Sequence, residues 1–169
     1  MTVGGWTSTF VTEELATPAR NALLILSLYW TGMTLARFAL GYILRRTAAL
    51  TVLYTCLAIA FGGAVLLLTT HSVGLAAAGV FMLGVGFAAM FPTVLGFVGD
   101  RFASLSGTAF SVAIAMALCG GMLIPYTAGM LGTRYGMRHS FVIVPVALLI
   151  QAALLGALSR KQRQPSSTS

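Results

Sequence analysis

Long uninterrupted apolar stretches dominate the pattern of hydrophobic and polar positions along this chain. Between Arg46 and Asp100 there is no Asp, Glu, Lys or Arg, and two more stretches without these residues cover positions 102 to 133 and 139 to 159. A bilayer core about 30 Å thick is crossed by roughly 20 apolar residues in a helix. The pattern therefore predicts several membrane-spanning helices, two of them within the first long stretch.

Capping and turn residues divide these stretches into separate helices. Thr17 followed by Pro18 is typical of a helix start, and a polar turn near His71 separates the second and third helices. The expected full spans are residues 18 to 44, 48 to 68, 73 to 98, 107 to 132 and 140 to 159. Residues 1 to 11 are apolar but too short to cross, so they indicate a truncated span or an interfacial segment. The sequence predicts an all-α membrane protein with five full transmembrane helices plus a truncated first one.

Basic residues at the helix ends predict the orientation in the membrane. Six lie on one face and three on the other: Arg45, Arg46, Arg101, Arg160, Lys161 and Arg163 against Arg20, Arg134 and Arg138. Because short cytoplasmic loops are enriched in Lys and Arg, the first face is expected to be cytoplasmic in a cell (inner) membrane. Residues 1 to 159 then form the membrane domain, and residues 160 to 169 a disordered cytoplasmic tail with the carboxy terminus.

Composition and charge narrow the function classes. The chain is 58% hydrophobic and 8% charged, with a mean hydropathy of +0.94, which excludes an ordinary soluble domain. The net charge of +7 follows from the helix-end arginines, so no nucleic-acid partner is expected. Cys56 and Cys119 lie within apolar runs, and no spacing predicts a metal site, a cofactor or a disulfide.

An intramembrane serine protease is the enzyme alternative, with Ser106 as nucleophile and His71 or His139 as base. The predicted topology places Ser106 at the inner face and both histidines at the outer face. Nucleophile and base must lie within hydrogen-bonding distance, so no catalytic residue is assigned and the protein is expected not to be an enzyme.

The fourth full span contains a regular series of small residues and a proline. At every fourth position stand Ala109, Ala113, Ala117, Gly121, Pro125 and Gly129. Such a small-residue series allows close helix packing in lipid, which is the structural interpretation. The functional interpretation is that Gly120, Gly121 and Pro125 make this helix bendable, as Pro92 kinks the span before it.

Several pieces of the chain together resemble a known transporter family. They are Tyr29-Trp30-Thr31-Gly32, Arg37-Phe38 with Gly41, Phe91-Pro92-Thr93 with Gly84 and Gly86, and Gly120-Gly121 with Pro125. In order and spacing these resemble the eighth, tenth and eleventh helices of the major facilitator superfamily, most closely its fucose/glucose/galactose:proton symporter branch. The resemblance implies one six-helix half of a twelve-helix bundle, the carboxy-terminal half, with an amino-terminal six-helix half as its missing partner.

The resemblance also implies a function. It suggests a multi-pass membrane transporter, or its carboxy-terminal fragment, that moves a small solute such as a sugar or a similar polar metabolite by alternating access and symport. The alternative is a degenerate fragment that does not transport, or a membrane assembly subunit. The candidate substrate-binding residues are Trp6, Asn21, Tyr29, Trp30, Thr93 and Tyr126, since sugar sites combine aromatic faces with polar partners. Aromatic residues at these positions are equally typical of interface anchors.

A second group of residues could control access to such a site. Arg37 is the charge at membrane depth, about 12 Å along the helix from Arg45. It is expected either to pair with Asp100 in one transport state or to extend its side chain to the inner interface. The full set of candidate gating residues is Arg37, Asp100, Pro92, Gly120, Gly121 and Pro125.

Overall fold

A computed structural model describes residue 12 and residues 18 to 163 of the chain, and these form helices. We number them α1 (Ala19–Ile43), α2 (Ala49–Thr69), α3 (Val73–Phe87), α4 (Met90–Arg101), α5 (Ser106–Tyr135), α6 (Met137–Phe141) and α7 (Ile143–Arg163), with a 3₁₀ turn at Ala103–Leu105. Five segments are long and apolar enough to cross a membrane, α3 and α4 counting as one. The predicted all-α fold with five full spans is confirmed. The proposed truncated span at residues 1 to 11 lies outside the described residues.

The third span consists of two helices joined by a kink at Ala88 and Ala89, where the hydrogen bonding changes but both residues keep right-handed helical dihedral angles. Pro92 has no N–H, and its ring would collide with the carbonyl group four residues earlier, that of Ala88. The Ala88 N–H bonds instead to the Val85 carbonyl at 3.3 Å, and regular bonding resumes with Thr93 N–H to the Ala89 carbonyl at 3.1 Å. The kink predicted from Pro92 therefore lies one turn before the proline.

Helices α1, α2 and α3 form the core, with α3 packed against both of the others. Glycines allow the backbones to approach closely. A Cβ on Gly32 would lie 2.8 Å from the Phe81 carbonyl oxygen, and one on Gly84 would overlap the Tyr29 carbonyl oxygen. A Cβ on Gly63 would lie 2.7 Å from the Gly79 carbonyl oxygen. In lipid, where apolar side chains gain little by leaving the tails, this close backbone packing holds the helices together.

Helix α5 packs mainly against its sequence neighbours, α4 and α6. No member of the small-residue series is buried, Ala117 is exposed, and Gly121 would have no atom within 4 Å of an added Cβ. The expected close packing of this series is therefore not formed within the described part of the chain. The physical reason is that α5 projects from the three-helix core, so that no described helix covers this face.

A tight turn joins α5 to the last helices. Gly136 adopts φ 86°, which a residue with a Cβ disfavours, and this ends α5. The Ser140 hydroxyl donates to the Ala128 carbonyl, which fixes α6 against α5. Helix α7 packs against α2 and continues to Arg163. The disordered tail expected at residues 160 to 169 stays a prediction, since residues 164 to 169 lie outside the described residues.

Candidate functional site

The break between α3 and α4 is buried and lies directly against α2. Ala88 and Ala89 are both fully buried, and a Cβ on Gly86 would lie 2.6 Å from the Ala60 Cβ. The Ala89 backbone N–H lies close to the Cys56 thiol on α2. Because Pro92 has no N–H, the Ala88 carbonyl at this break lacks its usual helical donor, and a polar group could bind there.

Thr93 places a hydroxyl group one turn beyond this break. Its side chain is 8% exposed, and its Oγ1 has no hydrogen-bond partner. Other helical threonines donate to a carbonyl of the preceding turn: Thr31 to Ser27 at 2.8 Å, and Thr55 to Thr51 at 2.9 Å. A buried hydroxyl without a partner costs about 1 to 3 kcal/mol. Thr93 is therefore the described residue best placed to donate to, or accept from, a polar ligand.

Two aromatic candidates lie together on α1 in different environments. The rings of Tyr29 and Trp30 are 5.2 Å apart and meet edge to face at 82°. Tyr29 is buried in the core, where its carbonyl lies against Gly84, while Trp30 is exposed. Tyr29 thus has a packing role in the α1–α3 contact, and Trp30 presents a free aromatic face.

The remaining candidate binding residues are not gathered at the break. Asn21 lies in the first turn of α1 and Tyr126 on α5, and both are exposed. Within the described part of the chain, no hydrogen bond or ring contact joins either residue to Thr93 or Trp30. Trp6 lies outside the described residues.

The candidate gating residues occupy different helices. Arg37 and Asp100 are both exposed, and the two form no ion pair with each other in this conformation. Pro92 sets the break in the third span. Gly120, Gly121 and Pro125 lie inside α5, which continues through all three as one helix.

The structure adds two residues that sequence reasoning missed, Cys56 and Ala89. Cys56 was interpreted as a small hydrophobe, and its buried position agrees with that. Its contact with the Ala89 N–H joins two helices, and no local spacing along the chain could indicate it. The only available signal was Pro92, which predicts a disturbed hydrogen bond nearby without identifying its new acceptor.

A groove between α5 and α7 is a further concave feature of the described chain. It is lined by Ile124, His139, Val142, Ile143, Val146, Ala147 and Ile150, of which His139 alone is polar. An apolar groove of this kind suits a lipid chain rather than a polar solute. The break at Ala88 and Ala89 with Thr93 therefore remains the candidate site.

Comparison with known proteins adds the family. A model of the Major Facilitator Superfamily matches residues 1 to 169, the whole length of the chain. Comparison with curated proteins returned no match. Comparison with solved structures also returned none.

Proposed function

Because the chain belongs to the Major Facilitator Superfamily and has five helices able to span a membrane, we propose that it transports a small polar solute by alternating access. The solute class is a sugar or a similar polyhydroxylated metabolite, which the resemblance to the fucose/glucose/galactose:proton symporter branch supports. In this proposal the face on which α1 and α4 end is cytoplasmic, as is the carboxy terminus, in the cell (inner) membrane.

The observation that carries the proposal is the broken third span with its unpaired hydroxyl. Discontinuous helices in transporters place freed backbone groups at the binding site, near the middle of the membrane. Here the break is buried, and Thr93 Oγ1 has no hydrogen-bond partner among the described residues. A sugar hydroxyl bound at this position would supply the missing hydrogen bond, while the exposed Trp30 offers an aromatic face of the kind that sugar rings contact.

The uncovered surface of α5 supports the proposal that a second half of the transporter packs against this chain. None of the residues in the apolar window of this span is buried, although the span is long and apolar. Alternating access requires two halves that move against each other around one site. We therefore propose that an amino-terminal six-helix half covers α5, and that Gly120, Gly121 and Pro125 let α5 adjust to it.

Ion coupling in this scheme depends on groups beyond the described spans. Asp100 is the sole acid among the described residues, and it lies at the inner end of α4. A carboxylate that carries a proton at membrane depth would then come from the partner half, as proton symport requires an ionisable group within the membrane. Arg37 and Asp100 act in our proposal as a gate at the inner end.

The test is uptake of radiolabelled sugars by cells that express the chain together with any coding sequence in frame upstream. We expect saturable uptake of at least one of fucose, glucose and galactose above that of cells with an empty vector. An upstream extension that encodes six more helices would supply the proposed partner half. No saturable uptake of any polar solute in a broad panel would contradict the proposal.

Thr93 provides the matched variants. Thr93→Val removes the hydroxyl but keeps the side-chain shape, so we expect uptake to fall about three- to tenfold, the worth of one hydrogen bond. The amount of folded protein should stay the same or rise, because an unpaired buried hydroxyl is removed. Thr93→Ser retains the hydroxyl and should retain most of the uptake. Equal uptake by the Val variant would show that Thr93 does not bind the solute.

A further inference from the structure

The exposed side of α1 carries two aromatic residues and an arginine at the end of the helix. Phe38, Tyr42 and Arg46 stand at every fourth position, so they share one face of the chain. Phe38 is 79% exposed and Tyr42 is 62% exposed, whereas Leu40 on the other side is buried in the core. We refer to Phe38, Tyr42 and Arg46 as the α1 strip.

Arg46 is paired with a ring rather than with a carboxylate. Its guanidinium carbon lies 5.2 Å from the centroid of the Tyr42 ring, a cation–π contact. The whole sequence has three acidic residues, and Asp100, the one that the structure describes, forms no ion pair with Arg46. Within the described residues, therefore, no carboxylate occupies the hydrogen-bond donors of this guanidinium.

The backbone holds Arg46 in place at the helix end. The Leu44 N–H bonds to the Leu40 carbonyl at 3.0 Å, and the Arg46 N–H bonds to the Ile43 carbonyl at 3.0 Å. The Thr47 hydroxyl donates to the same Ile43 carbonyl at 2.8 Å. These bonds continue the helical turn beyond α1, so Arg46 stays in register with Tyr42 and Phe38.

The strip crosses the boundary between lipid tails and headgroups. Because α1 spans the membrane, its end lies at the interface, where tyrosine is enriched. Phe38 lies about 6 Å deeper than Tyr42, at 1.5 Å per residue, and so reaches the acyl chains. The strip therefore has the polarity profile of a phospholipid, with an aromatic side chain at tail depth and a cation at headgroup depth.

We propose that the α1 strip binds an anionic phospholipid. Arg46 and the adjacent Arg45 contact its phosphate, and Phe38 packs along an acyl chain. A guanidinium presents paired donors that match phosphate oxygens, and the Tyr42 ring keeps the Arg46 guanidinium oriented toward them. The inference depends on the membrane-spanning helices and not on the transport activity proposed above.

Native mass spectrometry of the purified full chain in detergent tests the proposal. With added phosphatidylglycerol we expect a retained lipid adduct, and with phosphatidylcholine a much weaker one. Arg46→Ala should lower phosphatidylglycerol binding roughly fivefold, the usual effect of one interfacial cation on an anionic lipid. Tyr42→Ala should lower it too, whereas Tyr42→Phe keeps the ring and should bind as the wild type does.

Two further variants and one competition experiment distinguish lipid binding at the α1 strip from nonspecific binding. Arg134→Ala removes an exposed arginine at the opposite end of the membrane span and should leave binding unchanged. Phe38→Ala should weaken phosphatidylglycerol binding, and inorganic phosphate should not displace the lipid, because the tail contributes to binding. Equal losses in Arg46→Ala and Arg134→Ala, no loss in Arg46→Ala, or displacement by inorganic phosphate would each overturn the proposal. Circular dichroism of each variant verifies that it remains helical.

Discussion

Helices α3 and α5 both carry small residues at spacings that allow close packing, but only those of α3 form such contacts. In α3, Gly79, Gly84 and Gly86 lie directly against backbone atoms of α1 or α2. In α5, neither Gly120 nor Gly121 would have an atom within 4 Å of an added Cβ. Small residues permit a close approach, and the arrangement of neighbouring helices determines whether it occurs.

The two helices also differ in their freedom to move, because only α3 is held by close backbone contacts. Helix α3 is held on two sides by backbone contacts, so the break that follows it has a fixed position. Helix α5 is long and continuous but has no described helix over its small-residue face. A surface of this type is suited to a partner that moves against it, which is the role that alternating access requires.

The largest expected effect comes from adding one methyl group to α3. In Gly84→Ala the new Cβ would overlap the Tyr29 carbonyl oxygen, a backbone atom that cannot rotate away. Overpacking of a well-packed contact costs about 1 to 3 kcal/mol and more where backbone must shift. We expect a strong loss of monodisperse protein in detergent, measured by fluorescence-detected size-exclusion chromatography.

Gly121→Ala is the matched control on α5. The added methyl group meets nothing within 4 Å, and alanine favours a helix by about 1 kcal/mol over glycine. The yield should therefore equal that of the wild type or exceed it. Similar losses for Gly84→Ala and Gly121→Ala would show that the α5 face is covered by packing that the described chain does not contain.

A smaller effect is expected from changing side-chain size at a core position of α7 and on the exposed face of α5. Leu148 on α7 is 3% exposed and belongs to the core, whereas Ala117 on α5 is exposed. Leu148→Ala should lower the free energy of unfolding in detergent by about 2 kcal/mol. This is the low end for such cavities, because an apolar side chain gains little by moving from lipid or detergent into the protein. Ala117→Leu should change it little. A larger loss with Ala117→Leu would mean that the series packs against a helix.

Sequence patterns predicted the spans well because the bilayer sets a single length requirement. The charge-free interval between Arg46 and Asp100 was enough to predict two membrane crossings. Pro92 was enough to predict a kink in the second of them. Contacts between helices were less predictable, since glycines in α3 and α5 look alike when only their spacing is considered. Leu148 lies in the core because α7 packs back against α2, a contact that the apolar pattern of the last span does not indicate.

The candidate site was only partly predictable, because the burial and pairing of its side chains depend on contacts between helices. Thr93 was identified from its type and its position after Pro92, but its unpaired hydroxyl depends on a local rotamer and on its surroundings. Tyr29 and Trp30 are neighbours in sequence, yet one is buried and the other exposed, because α3 covers a single face of α1. Burial on a particular helix face follows from tertiary contacts, which a single sequence does not contain.

The smallest expected effect concerns the two exposed charged residues Arg37 and Asp100, which lie near the ends of α1 and α4. Arg37 and Asp100 are not paired in this conformation, so a contact between them would belong to another transport state. Uptake by the Arg37→Ala, Asp100→Ala and double variants should show a coupling of about 0.5 to 1 kcal/mol, as expected for a partly exposed ion pair. If the two single losses simply add in the double variant, the residues act independently and the gate is disproved.

Accessibility of Thr93 from both sides of the membrane tests the transport mechanism most directly. Thr93→Cys would be made with Cys56→Ala and Cys119→Ser, so that the new thiol is the only one in the chain. A membrane-impermeant thiol reagent is then applied to right-side-out and to inverted vesicles, with and without the sugar identified by the uptake assay. The proposed mechanism predicts labelling from each side and protection by the sugar, because under alternating access a site at the helix break opens in turn to each face. Labelling from one side only, or from neither, would contradict alternating access at this site.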